Sequence, residues 1–545
     1  MLMNMFLFAA VFFLAAYFIY GRFQKRMYGL DDSQKTPAEL YFDGVDYVPA
    51  HPSVLLGHHF ASIAGAGPIV GPIAAASMFG WLPTYIWCLV GSVFLGGVHD
   101  MGSLVASVRH KGLSVGEVVD RWIGRRGKLL FLTFTWLALV LMVAVFLVLS
   151  AGSFAADPAV AFSATLYIFM ALLFGVLTYK KGVPLIYSTV IMVPIVLGAV
   201  FFGSGSEWVQ TTFKFDATIW TYVLIGYIFA ASVLPVWLLL QPRDYLASFM
   251  LYFAVILGTI GMVFGKEFVV SLPAFVDTFP YSAKGEFVWP ILFVVVACGA
   301  ISGFHSLVGS GTTAKQLRRE SDSIIIGYGS MLIEGLVAVI AIGTVMMAGS
   351  ILKGGPTVTF AEGIGQFAAI IGIDPKIGKS LGLLALNSFL LTSLDTATRL
   401  ARYQLQEFVG MKADKSGMRV DKFTATIISV AAAAVLVFFK TGNTPAWALI
   451  WPVFGASNQL VAALALLAVG VWVSKGLKKN ASFLMIPMVF MFVTTIAALG
   501  LLLKEKVVEG NYLLSGISGV LLVLALLLAR EAWAALRAPA RGETL

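Results

Sequence analysis

Long apolar runs dominate this chain and limit what it can fold into. We count fifteen runs in the sequence, each of about 20 residues, the length that an α-helix needs to cross the hydrocarbon core of a bilayer. Of the 545 residues, 59% are hydrophobic and only 12% are charged, whereas about a quarter of an ordinary soluble chain is charged. A water-soluble core cannot bury so much apolar surface. The sequence therefore predicts an all-α polytopic membrane protein with about 15 transmembrane helices.

The basic residues predict how the chain is oriented in the membrane. If the N-terminus is outside, 28 of the 37 lysine and arginine residues fall in cytoplasmic segments and 9 fall in outward segments. Lysine and arginine are enriched on the cytoplasmic side of membrane proteins. We therefore expect an outside N-terminus and a cytoplasmic C-terminus. The net charge of +9 is then explained by contact with anionic membrane lipids, and it indicates no nucleic-acid partner.

The apolar run at 52–79 predicts a helix that is interrupted inside the membrane. Pro68 and Pro72 lack amide donors, and each ring clashes with the carbonyl group four residues earlier. Glycines beside them, such as Gly65 and Gly67, favour no single backbone conformation. We expect the helix to unwind near 65–68 and to restart. Unwound backbone at membrane depth is tolerated only where it is buried in protein or lines a cavity, so this stretch is the first candidate for a binding site.

A second candidate interruption lies five runs later, at Pro235 in the run 218–240. This run crosses the membrane in the opposite direction to 52–79. Paired, oppositely directed interruptions are typical of inverted repeats that hold a substrate near the midplane. The alternative for Pro235 alone is an ordinary proline kink that neighbouring helices repair.

These patterns predict a five-plus-five inverted repeat with additional helices around it. The predicted parts are an N-terminal peripheral helix and cytoplasmic loop (1–50), a first repeat (51–203), a second repeat (218–402) and C-terminal peripheral helices (422–545). In this interpretation the two interruptions offer backbone groups to the substrate. The predicted substrate-binding residues are Gly65, Ala66, Gly67, Pro68, Ser232 and Pro235.

Ionisable side chains within the runs are costly to place in a membrane and are candidates for function. Glu334 lies closest to the midplane and has no cation beside it in sequence. We therefore expect Glu334 to be the main proton carrier, with a neutral, hydrogen-bonded carboxyl group as the alternative. Asp100 and Asp395 are further candidates for proton coupling. For these two, the structural alternative is pairing with a histidine or with Arg399.

The sequence offers two candidate ion sites, one made of hydroxyl groups and one made of histidines, and does not decide whether either binds an ion. Hydroxyl groups could coordinate Na⁺ together with freed backbone carbonyls, although serine and threonine in helices commonly bond to their own backbone instead. The hydroxyl residues are Ser306, Ser310, Thr312 and Thr313. His58, His59 and His99 are suitable zinc or iron ligands. However, adjacent helical residues such as His58 and His59 point about 100° apart, which disfavours a shared ion.

Other classes of function find little support in the sequence. There is no HExxH, GxSxG or phosphate-binding loop motif, so we do not expect an enzyme, and no cofactor is predicted beyond a coupling ion, H⁺ or alternatively Na⁺. Cys88 and Cys298 lie in apolar runs and imply no disulfide framework.

Ordered motifs across most of 40–480 resemble the carbon starvation protein A (CstA) family. The first group is Asp46-Tyr47-Val48-Pro49, Gly57-His58-His59-Phe60-Ala61, Ile63-Ala64-Gly65-Ala66-Gly67-Pro68 and Val70-Gly71-Pro72. The second group is Leu234-Pro235-Val236-Trp237, Pro242-Arg243-Asp244-Tyr245-Leu246-Ala247, Ala297-Cys298-Gly299-Ala300, Ser302-Gly303-Phe304-His305, Ser310-Gly311-Thr312-Thr313, Ile326-Gly327-Tyr328-Gly329 and Trp451-Pro452. Two features depart from the family pattern: His99 replaces an expected glutamine, and the outward segment 351–379 is short.

The resemblance implies a transporter of the bacterial inner membrane. The family is associated with proton-coupled uptake of peptides and of pyruvate during nutrient stress. It is similar to the amino acid–polyamine–cation superfamily, which has a leucine-transporter-like five-plus-five fold. We favour a small organic acid such as pyruvate over a short peptide, because amides at half-helix N-termini bind carboxylates. The alternatives are a sodium-coupled solute symporter and a membrane solute sensor that does not transport.

Overall fold

A computed structural model describes residues 1–43, 47–235, 238–412, 420–439 and 446–537. Three motif residues, Asp46, Val236 and Trp237, lie outside the described residues, as do 440–445 and 538–545 of the predicted C-terminal part. The described residues form α-helices joined by loops and by short 3₁₀ or π-helical segments, with one isolated β-bridge between Tyr281 and Phe287 in the long connection 265–287. The prediction of an all-α protein is confirmed.

The α-helices are numbered in chain order. They are α1 (Leu2–Tyr28), α2 (Pro37–Leu40), α3 (Pro52–Ile63), α4 (Gly67–Phe79), α5 (Trp81–Gly91), α6 (Gly97–Arg109), α7 (Val115–Trp122), α8 (Arg125–Ala156), α9 (Pro158–Gly175), α10 (Leu185–Gly205), α11 (Glu207–Thr212), α12 (Ala217–Val233), α13 (Leu240–Phe264), α14 (Val288–Val296), α15 (Gly303–Gly311), α16 (Ser330–Ala348), α17 (Pro356–Ala369), α18 (Pro375–Lys412), α19 (Lys422–Phe438), α20 (Ala446–Lys475), α21 (Ser482–Val508) and α22 (Tyr512–Arg537).

Twelve helical segments among the described residues are long and apolar enough to cross a membrane, or 13 if the bent pair α3 and α4 forms one span. Two shorter apolar helices, α12 and α19, accompany them. The chain is therefore a multi-pass membrane protein. The expected number of 15 spans and the inverted-repeat architecture are not confirmed by these lengths and compositions.

Side-chain caps fix where several of these helices begin. The Asp216 carboxylate accepts hydrogen bonds from the amides of Thr218 and Ile219, at 2.8 and 2.9 Å, at the start of α12. Asp157 caps α9 in the same way. A short polar acceptor at this position satisfies amide groups that have no partner within the helix. These caps place the polar side chains at the helix ends and leave the apolar stretches for the membrane.

The most deeply buried spans are α20, the segment that contains α14 and α15, and α18. The most apolar window of α20 is 100% buried, whereas that of α1 is only 28% buried. The sequence places α20 among the peripheral helices, but in the structure it packs against α8, α14, α15 and α21. A helix that is apolar all round is expected to be buried in this way.

Candidate functional site

The first interrupted helix is the pair α3 and α4, which meet at an angle of 44°. Helix α3 ends at Ile63 and α4 begins at Gly67, so residues 64–66 separate them, close to the predicted 65–68. Both Gly65 and Gly67 are enclosed by neighbouring side chains. A β-carbon on Gly65 would lie 2.7 Å from Ser393 Oγ, and one on Gly67 would overlap with the Cys298 side chain. The break is therefore buried in protein.

The interpretation of Pro235 as an interruption inside a span is corrected by the structure. Helix α12 ends at Val233, and Pro235 lies in the connection to α13. The proline cannot continue the helix and restricts the residue before it, so the helix stops at this point. The Arg399 side chain donates to the carbonyls of Ala231 and Leu234 at 2.7 and 2.6 Å.

Arg402 completes this arrangement by donating to the Ser232 carbonyl at 2.6 Å. The end of α12 is thus a helix C-terminus that is neutralised by arginine side chains. The role of Ser232 and Pro235 in substrate binding stays a prediction, and Pro235 lies after the end of α12 and not within it.

The interruption that does contact the first one lies at residues 297–302, between α14 and α15. Ala297 has a φ of 50°, a left-handed conformation that a residue with a β-carbon rarely adopts. The Asn458 side chain accepts a hydrogen bond from the Phe304 amide at 3.0 Å and donates to Ser302 Oγ at 3.0 Å, so it holds the start of α15. Helix α4 packs against both α14 and the turn Ala297–Gly299, which brings the two interruptions together.

Each interrupted helix is followed by a span that contains a short π-helical segment. These segments are Ser92–Gly96, between α5 and α6, and Ile324–Gly329, before α16. Ser92 Oγ donates to the Gly299 carbonyl of the second break at 3.2 Å. Wide turns of this kind occur frequently at functional sites.

A chain of carboxyl and imidazole groups lies beside the two interruptions. His305 Nδ1 is 2.7 Å from Asp100 Oδ2, and His305 Nε2 is 3.3 Å from Glu334 Oε2. His99 Nδ1 is 2.7 Å from the other Asp100 oxygen. Glu334 is 0% exposed, and neither of its oxygens has a hydrogen-bond partner among the described residues. We call Asp100, His305 and Glu334 the relay cluster.

The relay cluster also approaches Cys298. Cys298 Sγ, a His305 ring nitrogen and a Glu334 oxygen lie within 4.8 Å of one another, a spacing that would admit a small cation. The thiol already donates to Ser302 Oγ at 3.1 Å, and Asp100 engages the other side of the His305 ring. We assign no ion to this cluster.

The three histidines that the sequence offers as metal ligands have three different partners. His58 Nδ1 lies 3.4 Å from Asp244, His59 Nδ1 lies 2.8 Å from Thr313 Oγ1, and His99 contacts Asp100. In the part of the chain that the structure describes, these histidines do not form a cluster with metal-ligand spacing. The separation of His58 and His59 agrees with their adjacent positions on one helix.

Asp395 forms a buried ion pair with Arg243. The Arg243 guanidinium contacts an Asp395 carboxylate oxygen, and both side chains are 0% exposed. Tyr227 donates to the same oxygen at 2.6 Å and accepts from Arg243 at 2.8 Å. The cation beside Asp395 is therefore Arg243, while Arg399 is engaged at the end of α12.

The hydroxyl groups that the sequence offers for Na⁺ are engaged in local hydrogen bonds. Ser306, Ser310 and Thr312 each donate to a carbonyl within α15, at 2.7, 2.7 and 3.0 Å, and Thr313 contacts His59. This is the bonding that commonly satisfies such residues in helices. It gives no support to a preformed sodium site.

A cavity of about 410 Å³ lies between α3, α7, α15 and α18. It opens at the side predicted to be cytoplasmic, where Tyr403 and Leu113 are exposed. Its lining includes His58 and Ser62, from the last two turns of α3 before the first break, together with Asp244, Thr396 and Arg399. Ligand sites typically have volumes of about 300–1,000 Å³ and a few convergent polar groups, so this cavity has the size and lining of a small-solute site.

Several site residues were not assigned a role from the sequence. His305 joins Asp100 to Glu334, Asp244 lines the cavity, and Arg243 pairs with Asp395. Each is an ionisable residue in or beside an apolar run, which is a signal the sequence does contain. What the sequence does not contain is the identity of each residue's partner on another helix.

Interrupted helices that meet beside buried ionisable groups, in a multi-pass membrane protein with a one-sided cavity, define a membrane transporter. The sequence profile described as carbon starvation protein CstA matches residues 1–352 and 344–498. The chain belongs to this family.

Individual relatives agree with the family assignment. The chain is 31% identical to "Peptide transporter CstA" of Campylobacter jejuni, covering 94% of this chain and 82% of that protein. It is 33% identical to the Bacillus subtilis protein of the same name, covering 88% and 87%. It is 32% identical to "Pyruvate/proton symporter BtsT" of Escherichia coli, covering 90% and 80%. A manganese transporter structure from Eremococcus coleocola is 12% identical with a TM-score of 0.43, covering 89% and 94%, and this likeness adds no argument.

Proposed function

We propose that this protein imports pyruvate or short peptides by proton symport across the bacterial inner membrane. The relay cluster is the observation that carries the coupling part of the proposal. The His305 imidazole lies 2.7 Å from the Asp100 carboxyl group on one side and 3.3 Å from the Glu334 carboxyl group on the other, beside the two interrupted helices. In a membrane interior, ionisable chains of this kind are typical of proton relays.

In this proposal Glu334 takes up the transported proton and Asp100 balances the charge through His305. Imidazole exchanges a proton on one nitrogen for a proton on the other, so His305 connects the two carboxyl groups. Asp395 has a different role, because its charge is already compensated by Arg243. We therefore propose that Glu334 and Asp100 couple transport to protons. Asp395 instead holds α18 against α13 through its ion pair with Arg243.

The cavity supports a substrate that carries a carboxylate. Arg399 and Lys315 supply positive charge to its wall, and three carboxylates supply negative charge, from Asp244, Glu117 and Glu407. Pyruvate needs only the cationic groups, whereas a zwitterionic peptide would use both. The backbone of 65–68 is packed against Cys298 and Ser393, which leaves little room for a substrate there. We therefore propose that the substrate binds to side chains on the cytoplasmic side of the break.

The two alternatives predict different behaviour in vesicles. A sodium-coupled symporter would accumulate solute under an imposed sodium gradient, but the relevant hydroxyls are satisfied by their own helix. A sensor that does not transport would bind solute without flux. The helix interruptions and the one-sided cavity favour transport over a sensor. The relay cluster and the satisfied hydroxyls favour protons over sodium as the coupling ion.

The test is accumulation of radiolabelled pyruvate or dialanine in liposomes that contain the purified full chain under an imposed proton gradient. Wild type is expected to accumulate at least one of them, and Glu334→Gln is expected to lose gradient-driven accumulation by about 10²-fold, the lower range for removal of a proton-transfer group. Exchange of substrate between equal concentrations on both sides should survive, since it requires no net proton movement.

Glu362→Gln is the matched control, because Glu362 lies on α17 with a partly exposed side chain paired with Lys379. It should behave as wild type in both assays. Glu334→Gln protein that still accumulates substrate with the pH dependence of wild type would remove Glu334 as the carrier. The same preparation should also be analysed for bound metal. A metal held by Cys298, His305 and Glu334 would mean that these side chains coordinate an ion and do not relay protons.

A further inference from the structure

His59 directly follows His58, which lines the cytoplasmic cavity, and the proposed relay does not use it. It occupies the last turn of α3 and is 1% exposed. Its Nδ1 is held 2.8 Å from Thr313 Oγ1, and its Nε2 is buried without a hydrogen-bond partner among the described residues. A buried ring nitrogen without a partner is uncommon and calls for an explanation. It leaves a lone pair or an N–H group available for exchange.

The neighbours of His59 are the two other histidines of this region. A β-carbon on Gly309 of α15 would lie 4.0 Å from His59 Cε1, and His305 lies one turn before Gly309 on the same face of that helix. His58 directly precedes His59 on α3. His305 belongs to the relay cluster, and His58 lines the cavity, where its Nδ1 faces Asp244 at 3.4 Å. Because adjacent helical residues point about 100° apart, His58 faces the cavity while His59 faces the protein interior.

We propose that His59 carries protons between the relay cluster and the cytoplasmic cavity. This inference depends on the proposed proton symport. In the step, an N–H bond forms on Nε2 of His59 as an N–H bond of His305 breaks. His59 then returns to neutral by giving up a proton to His58 or to water in the cavity, so no further reactant is needed.

In the proposal, the proton path is interrupted in the described conformation. Among the described residues, His59 has a hydrogen bond to Thr313 through Nδ1 and none through Nε2. Helix α3 carries both His58 and His59, whereas His305 lies on α15. In the proposal, a relative movement of these two helices during the transport cycle brings His59 and His305 into contact in one state and separates them in another.

The experiment compares gradient-driven uptake with substrate exchange in liposomes for the full chain and its His59→Gln variant. The probe is radiolabelled pyruvate or dialanine, whichever the wild type accumulates. Glutamine keeps a polar contact for Thr313 but cannot be protonated. We expect gradient-driven uptake to fall about tenfold or more, while exchange stays near the wild-type rate. His59→Glu, which restores a group that can carry a proton, should recover part of the uptake.

His110→Gln is the matched control, since His110 is also buried but bonds to the Ala106 carbonyl and Trp122 away from the relay. It should not separate the two assays. Equal loss of uptake and exchange in His59→Gln, without recovery in His59→Glu, would assign His59 a structural role and overturn the proposal. The proposal would also be overturned if His59→Gln kept full gradient-driven uptake while Glu334→Gln had lost it. Absence of gradient-driven uptake in wild type would instead contradict the symport itself.

Discussion

At the scale of single residues, the buried pair of Arg243 and Asp395 is the contact with the largest energetic consequence. Both side chains are fully buried, and Tyr227 bonds to both. Two charges taken out of water stabilise a fold only if they remain paired, and removing one partner leaves an uncompensated charge. Removing Arg243 would therefore leave the Asp395 charge buried without a partner and lower the stability of the fold.

We expect Arg243→Ala to destabilise the protein by about 3–5 kcal/mol, the usual effect of breaking a buried pair. The double variant Arg243→Met with Asp395→Leu should recover most of this loss, because it removes both charges and keeps apolar volume. Thermal unfolding in detergent measures both. If the double variant were no more stable than Arg243→Ala, the loss would come from packing around α13 and not from the unpaired Asp395.

Individual residues also show where the sequence was informative. Asp100, Glu334 and Asp395 stand out as ionisable groups in apolar runs, and all three are buried in the structure. Their partners could not be inferred, because Asp100 and His305 lie 205 positions apart. Periodicity identifies which face of a helix is buried but carries no information about which distant helix covers it.

At the scale of secondary structure elements, the close contact between α4 and α14 depends on small residues. A β-carbon on Gly71 would overlap with the Val296 carbonyl, and one on Gly299 would lie 2.8 Å from Pro72 Cγ. Small residues permit such close approach of helix backbones in membranes. The two interruptions meet only because these side chains are absent.

The element-scale prediction concerns Gly67, whose β-carbon position is filled by Cys298. Gly67→Ala should lower the unfolding temperature and abolish transport, since overpacking a filled site costs about 1–3 kcal/mol. Adding Cys298→Gly should restore space and recover stability. Gly152→Ala in α8 is the control, because no atom lies within 4 Å of a β-carbon there. Wild-type behaviour of Gly67→Ala would contradict the close packing of the two breaks.

The sequence predicted the interruption at 64–66 but not the one at 297–302. The break at 64–66 follows from glycine and proline, which act locally. The break at 297–302 contains no proline, and it is held by Asn458 and by contact with α4. Pro235 had the local signal but ends a helix. Interruptions that result from packing between distant helices are not visible in a local pattern.

At the scale of the whole molecule, the described structure is open on one side. The cavity reaches Ser62 from the side of α7, whereas α4 and α14 on the other side of the breaks are packed together. Access from one side at a time is the basis of alternating access around a fixed site. With the orientation that the lysine and arginine distribution predicts, the open side is the cytoplasmic one, and we propose that the described conformation is inward-facing.

Site-directed labelling tests this arrangement directly. Cys88 and Cys298 are buried, so the native chain should react slowly with a membrane-impermeant maleimide. Gln316→Cys, which lines the cavity, should react in inside-out vesicles, and Lys353→Cys, which is exposed on the predicted outer side, should react in right-side-out vesicles. Pyruvate or dialanine should slow the labelling of Gln316→Cys alone, because only that position lies in the proposed substrate cavity. Reaction of both positions from the same side would contradict the orientation predicted by the lysine and arginine distribution.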